Sequence, residues 1–280
     1  MVTEQDSEQE NKKPEFKIQP GDIGGLMAEY PHIRDWVEDF EAKHGSRPIY
    51  YGPLDRDAKS VSPRNLIYVT KPPCFAHVYS PPEGHEGAGN TFWFGLEPTI
   101  DAEEEEIRDQ IVERLLRDAP QKERFENDEE FINMIHEMMD EMTTTGASTF
   151  LSNPIVSQAR ELFGMGEAQI KLTPDQLDRL KYVVVRDLVN NGPLETLLAD
   201  EMLEDIHSIG LHKIHMDHKV FPMLTSNIHF KDQEILTRYL RSMSERIGRP
   251  VSDSKPIVDG ALLDGSRINI IYSDDVSIQG

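Results

Sequence analysis

The densest run of potential metal ligands is His207, His212, His215 and His218, with His229 following. A zinc centre needs three or four such side chains converging on one point. On an extended strand, however, side chains alternate, so His212 and His218 face one side and His215 the other. These spacings argue against a shared metal. The only cysteine is Cys74, so an intrachain disulfide is excluded. It stands in Lys71-Pro72-Pro73-Cys74-Phe75 with no histidine or carboxylate cluster beside it, and it reads as a buried structural thiol. The glycine-rich stretch Pro82-Glu83-Gly84-His85-Glu86-Gly87-Ala88-Gly89-Asn90 lacks the Lys-Ser/Thr that holds phosphate and magnesium. It lies between two strand-like runs and reads as a hairpin loop. Arg238, Arg241, Arg246 and Arg249 form a local positive feature in an acidic chain, either a binding patch or a solvated helix face.

The elements that position these groups follow from periodicity. Ile33, Trp36, Val37 and Phe40 have helical spacing across 31–43, closed by Gly45. Strand-like runs occupy 65–70, 75–80 and 91–96. Asp101 caps a helix whose acidic first turn, 103–106, meets the positive end of the helix dipole. Its expected buried stripe is Ile107, Ile111, Leu115 and Leu116. Asn127 opens a second helix with Glu130 in capping-box position, striped by Phe131, Ile135, Met138 and Met142. Asn153-Pro154 starts a third, ending at Gly164, and the three are expected to form a small bundle. Thr173-Pro174-Asp175-Gln176 combines an N-cap, a first-turn proline and a box-completing glutamine. Leu177, Leu180, Val184 and Leu188 mark the buried face of that helix. Further strands are expected at 206–210, 213–218, 221–225, 257–263 and 267–272, with a helix at 232–247.

The predicted class is α+β. A disordered tail at 1–22 precedes a mixed α/β region with a helical bundle at 23–165. An α/β two-layer sandwich, with helices on one mainly antiparallel sheet, follows at 166–280. Composition adds exclusions. The chain has 29 basic and 51 acidic residues among 280, a net charge of -22. A surface this negative repels phosphate backbones and anionic leaflets, which argues against nucleic-acid binding and against direct membrane insertion. No apolar signal core opens the chain and no window approaches 18 consecutive apolar residues. A cytoplasmic location is the expectation.

One stretch carries a resemblance. Gly192-Pro193-Leu194-Glu195-Thr196-Leu197-Leu198-Ala199-Asp200, followed by Leu203-Glu204-Asp205-Ile206, is similar to the G-P-L-x-x-L-L-x-D-x-x-x-x-D-I signature of the secretion ATPase family. That family drives type II and type IV secretion, type IV pili and the archaellum. Arg249-Pro250, then Pro256-Ile257-Val258-Asp259-Gly260, then Leu263-Asp264-Gly265-Ser266-Arg267 resemble its downstream run in order and spacing. The upstream strands and Pro31-His32-Ile33-Arg34-Asp35-Trp36 look like the N-terminal region of archaeal members. The match is good over 170–275 and looser over 23–165.

The resemblance implies a homo-hexamer with ATP and magnesium held between this region and a RecA-like core, attached to an inner-membrane platform protein. It also implies that basic residues of the N-terminal sheet close over the nucleotide: Arg267 first, in the Asp-Gly-Ser-Arg turn, and Arg249 second. The bland alternative for Arg267 is an ordinary salt bridge to Asp259 or Asp264. The sequence has no G-x-x-x-x-G-K-[ST] loop, so the chain is expected to stop short of the catalytic core and to hydrolyse nothing alone. Two other readings are a stand-alone adaptor of a secretion or pilus apparatus, and an unrelated enzyme with a carboxylate or histidine site.

Overall fold

The computed structural model describes residues 20–118, 127–145, 168–262 and 265–272. The expected tail at 1–22, apart from its last three residues, lies outside this set. So do the expected helix from Asn153 to Gly164, and Asp264.

Helices α1 (Ile23–Glu29) and α2 (Pro31–His44) lead into β1 (Ile49–Tyr50), β2 (Asn65–Val69), β3 (Phe75–Tyr79) and β4 (Phe92–Leu96). Then come α3 (Ala102–Asp118), α4 (Asp128–Met142), β5 (Thr143–Thr144), β6 (Ile170–Lys171) and α5 (Pro174–Leu188). A short α6 (Glu195–Leu198) precedes β7 (Leu203–His207), β8 (His215–His218) and β9 (Leu224–Ser226), and α7 (Gln233–Arg246), β10 (Ile257–Ala261) and β11 (Arg267–Ile271) follow. The fold is α+β, built on a seven-stranded sheet of order β1-β2-β3-β4-β9-β8-β7. Two pairings, β1 with β2 and β4 with β9, are parallel; the other four are antiparallel. The sheet therefore draws strands from both the 23–165 and the 166–280 regions.

Strands β2 and β3 are covered on both faces, which explains why they read as continuous apolar runs rather than alternating ones. Leu66, Tyr68, Ala76, Val78 and Trp93 pack with Leu197 of α6 and with Met216 and Leu224. Ile67 and Phe75 face the other way, onto Leu26, Ile33 and Val37 of α1 and α2. The glycine-rich loop joins β3 to β4, which pair antiparallel.

Beside the sheet, α3, α4 and α5 share a core of Ile111, Leu115, Ile135, Met139, Leu180 and Val184. Each such fully buried aliphatic side chain contributes about 1.5–3 kcal/mol by leaving water. The caps are those written in the sequence. Asp101 and Glu104 bond each other's backbone N–H groups at 2.9 and 3.1 Å, and Asn127 accepts from Glu130 N–H at 2.9 Å. Thr173 and Gln176 form a complete capping box. Glu104 then turns inward, 2% exposed, to pair with Arg179, so the acidic run is in part a structural device.

Some expectations shift. Leu116 is 72% exposed and Leu188 is 36% exposed, because α3 and α5 turn Ile111, Leu115 and Val185 to the core instead, with Val189 just past the end of α5. The strand expected at 206–210 runs earlier, as β7, because the turn at Asp200 launches it directly. The strand expected at 221–225 begins only at Leu224: the N–H groups of Val220 and Phe221 are already bound by the His218 ring. Among the described residues no helix is long and apolar enough to cross a membrane.

Candidate functional site

The arginines singled out by sequence take separate paths. Arg238 pairs with Glu234 one turn away at 3.2 Å. Arg241 lies 5.3 Å over the Tyr272 ring. Arg246 donates to the carbonyls of Val189 and Asn190, closing the end of α5. Of the four, Arg249 reaches Asp259 of the hairpin, the residue that Arg267 also holds.

Local chemistry fixes that meeting. Asp232 caps α7 by accepting from Ile235 N–H at 2.8 Å. The helix ends where Gly248 takes a left-handed φ of +69°, which only glycine adopts freely. Ser244, fully buried, accepts from Val251 N–H at 3.0 Å and so folds the chain back against α7. Met243, Val251, Val258 and Ile270 form the small core beneath the hairpin. In the hairpin Asp259 stands opposite Asn269, which puts Arg267 on the same face, one diagonal step away. Gly265, at φ +88°, makes the connecting turn.

Asp259 is consequently held twice. The Arg267 fork donates to both carboxylate oxygens, at 3.1 and 2.7 Å, and Arg249 donates to the Asp259 carbonyl at 2.5 Å. Hydrogen bonding from Arg267 holds the Asp259 carboxyl below its ordinary range. The salt bridge to Asp259 is thus present, but the Arg267 side chain is 81% exposed. A guanidinium has five N–H donors, so the donors not spent on Asp259 face solvent. The Arg267 fork on this exposed hairpin can bind a phosphate group if it displaces the carboxylate, with Arg249 held nearby on the Asp259 carbonyl. The hairpin also borders a cleft of about 1580 Å³, whose opposite wall is α6 and β7.

The histidines are dispersed. His218 is buried; His207 and His215 are exposed on the strand pair, with His207 3.8 Å from Asp217; His212 lies in the preceding turn. In β8, His215 and Asp217 share the open face while Met216 and His218 point inward. Among the described residues no three His, Cys, Asp or Glu side chains are grouped to hold a metal. Cys74 is buried against the Tyr182 hydroxyl at 3.1 Å, and burial pushes its thiol up to about 11. A thiol held protonated in this way is not a nucleophile at neutral pH.

One polar centre went unassigned in the sequence reading. Asp200, the aspartate of the Leu197-Leu198-Ala199-Asp200 signature, is 4% exposed. It accepts from the Tyr68 hydroxyl, from Trp93 Nε1 at 3.0 Å and from Met202 N–H at 2.9 Å. His218 Nε2 lies 3.2 Å from the same Tyr68 oxygen. Its Nδ1 accepts from Val220 and Phe221 N–H, which leaves the ring proton on Nε2 to donate to Tyr68. Burial first, and Lys219 second, lower the His218 pKa to about 4; burial raises that of Asp200. The available signal was Tyr68 and Trp93 inside apolar strands, since buried phenol and indole groups need partners.

No family model matches the sequence. The chain is 37% identical over 257 residues to the uncharacterized protein MJ0900 of Methanocaldococcus jannaschii, covering 91% of this chain and 45% of the relative. It is 34% identical over 130 residues to the uncharacterized protein MJ1288 of the same organism, 45% of this chain and 50% of the relative. A third, MJ0781, also from that organism and uncharacterized, is 31% identical over 101 residues, 36% of this chain and 14% of the relative. The chain spans about half the length of the first two curated relatives it matches.

Proposed function

We propose that this chain is the N-terminal module of a secretion or pilus-assembly ATPase of archaeal type, working beside a RecA-like core that holds ATP and magnesium. In this reading six copies form a ring in the cytoplasm, docked on an inner-membrane platform protein. The observation that carries it is the convergence of Arg249 and Arg267 on Asp259. These are the two positions the resemblance marks for closing over nucleotide, and they meet on an exposed hairpin.

Chemically, Asp259 keeps the Arg267 fork extended and ordered until phosphate arrives. A triphosphate presents more charge than one carboxylate and competes for the same planar donors. Closure of the module then adds positive charge where charge develops during phosphoryl transfer, and opening restores the pair with Asp259. The match to MJ0900 leaves more than half of that relative outside the aligned region, room for a core of this kind.

The test is steady-state ATP hydrolysis by the longer protein carrying Arg267→Ala or Arg249→Ala. A fall in kcat of about tenfold or more for Arg267→Ala, with an unchanged melting temperature, is expected. Turnover by this chain alone, or full activity in both variants, overturns the proposal.

A further inference from the structure

The cleft between α6/β7 and the hairpin has a second property, independent of the ATPase reading. Two sheets end on it. Among the described residues, strand β7 is outermost in the seven-stranded sheet and pairs only with β8, and β11 pairs only with β10. Both strands line the cleft. Each therefore offers one unpaired row of backbone N–H and C=O groups, a template for another strand. Such edges are ordinarily blunted by lysine or proline. Neither occurs within Leu203–His207 or Arg267–Ile271; the protection on β7 is the charge of Glu204 and Asp205 and a register shift between Leu203 and Asp205, which an oppositely charged strand can match.

The volume and lining indicate the kind of occupant. At about 1580 Å³ the cleft exceeds the roughly 300–1,000 Å³ of ordinary small-molecule pockets. Leu203 and Ile206 line it from one side and Ile268 from the other. The rim on the β7 side carries Glu201, Glu204 and Asp205, all exposed. On the hairpin side the charged rim residue, Arg267, is engaged by Asp259. Lys71 adds one exposed cation to the lining, so the three carboxylates outweigh it and the rim favours cations along β7. A second copy of this chain, at -22, suits it poorly.

We propose that this cleft receives an extended basic segment of a partner protein, which adds to the edge of β7 as a further strand. Alternate apolar side chains of that segment enter between Ile206 and Ile268, and its lysines or arginines lie along Glu201, Glu204 and Asp205. The backbone supplies the affinity and the side chains the choice of partner.

The test uses the full chain and a fluorescein-labelled octapeptide alternating valine and lysine, read by anisotropy. Three comparison peptides go beside it: alternating valine and glutamate, the same valines and lysines in two blocks, and the alternating Val/Lys peptide N-methylated at every second amide. Saturable binding that weakens with salt is expected. It should fall about tenfold or more in the double variant Glu204→Lys/Asp205→Lys, whose changes lie on solvent-exposed positions. It should fall comparably for the N-methylated and block peptides. Hydrogen exchange on the complex should show new protection in β7.

Absence of binding at millimolar peptide overturns the proposal. So does equal binding of the glutamate or N-methylated peptide. Protection, in the free chain, of the β7 amides that point away from β8 also overturns it: concentration-dependent protection means that a second copy fills the cleft, and concentration-independent protection means that the chain's own residues do.

Discussion

Asp200 and Asp259 each gather partners from distant parts of the chain, yet their settings are opposite. Asp200, 4% exposed, accepts from Tyr68, Trp93 and the Met202 backbone, while the Asp259 side chain, 46% exposed, is held by a single arginine fork. In the sheet every donor was stripped of water on folding, so losing the acceptor strands it. On the hairpin, water replaces whatever is lost. Burial makes the first set obligatory and exposure makes the second exchangeable. Two aspartates in neighbouring signature stretches thus serve as a fixed anchor and a placeholder.

The comparison breaks most sharply at Asp200. Asp200→Ala leaves the Tyr68 hydroxyl and the Met202 N–H without their acceptor, and the Trp93 indole with only the Tyr68 oxygen at 3.2 Å. A loss of about 3–5 kcal/mol in urea-unfolding free energy is expected. A loss below about 1 kcal/mol would mean that the network is not what joins α6 to the sheet.

Taken residue by residue, acid titration is the next largest effect. Burial lowers the pKa of His218 and His32 to about 4 and of His77 to about 3. These rings are neutral when folded and take up protons on unfolding. Their stability is complete above the unfolded value near 6.5 and is lost as pH falls toward the folded values. Between pH 7.5 and 5 each contributes a loss of roughly 2 kcal/mol. Asp200, with its pKa raised by burial, acts in the opposite sense, losing its contribution as pH rises. Urea midpoints measured across this range should fall on acidification, and a flat profile counts against buried neutral histidines.

The smallest effect belongs to the hairpin. Asp259→Ala should leave the melting temperature of this chain within error, since both partners of that pair are solvated. A marked drop would show that the pair is a structural clamp and weaken the case for Arg267 as a phosphate ligand.

Much of the fold was legible because much of it is local. The Asp101 and Asn127 caps, the box at Thr173 and the three apolar strands of the first half depend on residues close to one another in the chain. The pairing of β4 with β9 was not legible, because a period-2 pattern says that a strand exists and not which strand lies beside it. The Asp200 centre escaped for the same reason. Its members stand at 68, 93, 200 and 218, and no local spacing links them. For the arginines, sequence marked both Arg249 and Arg267, but only the hairpin register shows that they share Asp259.

The join between β4 and β9 also sets a timetable for synthesis. Phe92 and Trp93 pair with Thr225 and Ser226, about 130 residues later. At a ribosomal rate of 5–20 residues per second, β4 waits roughly 7–26 seconds with one edge open. For that interval β1 to β4 form a half-sheet whose open rim is an apolar strand, Phe92-Trp93-Phe94. The nascent chain is then most exposed to association with its neighbours on the same message. Arrival of β9 closes the rim, and with β8 it brings His218 to Tyr68.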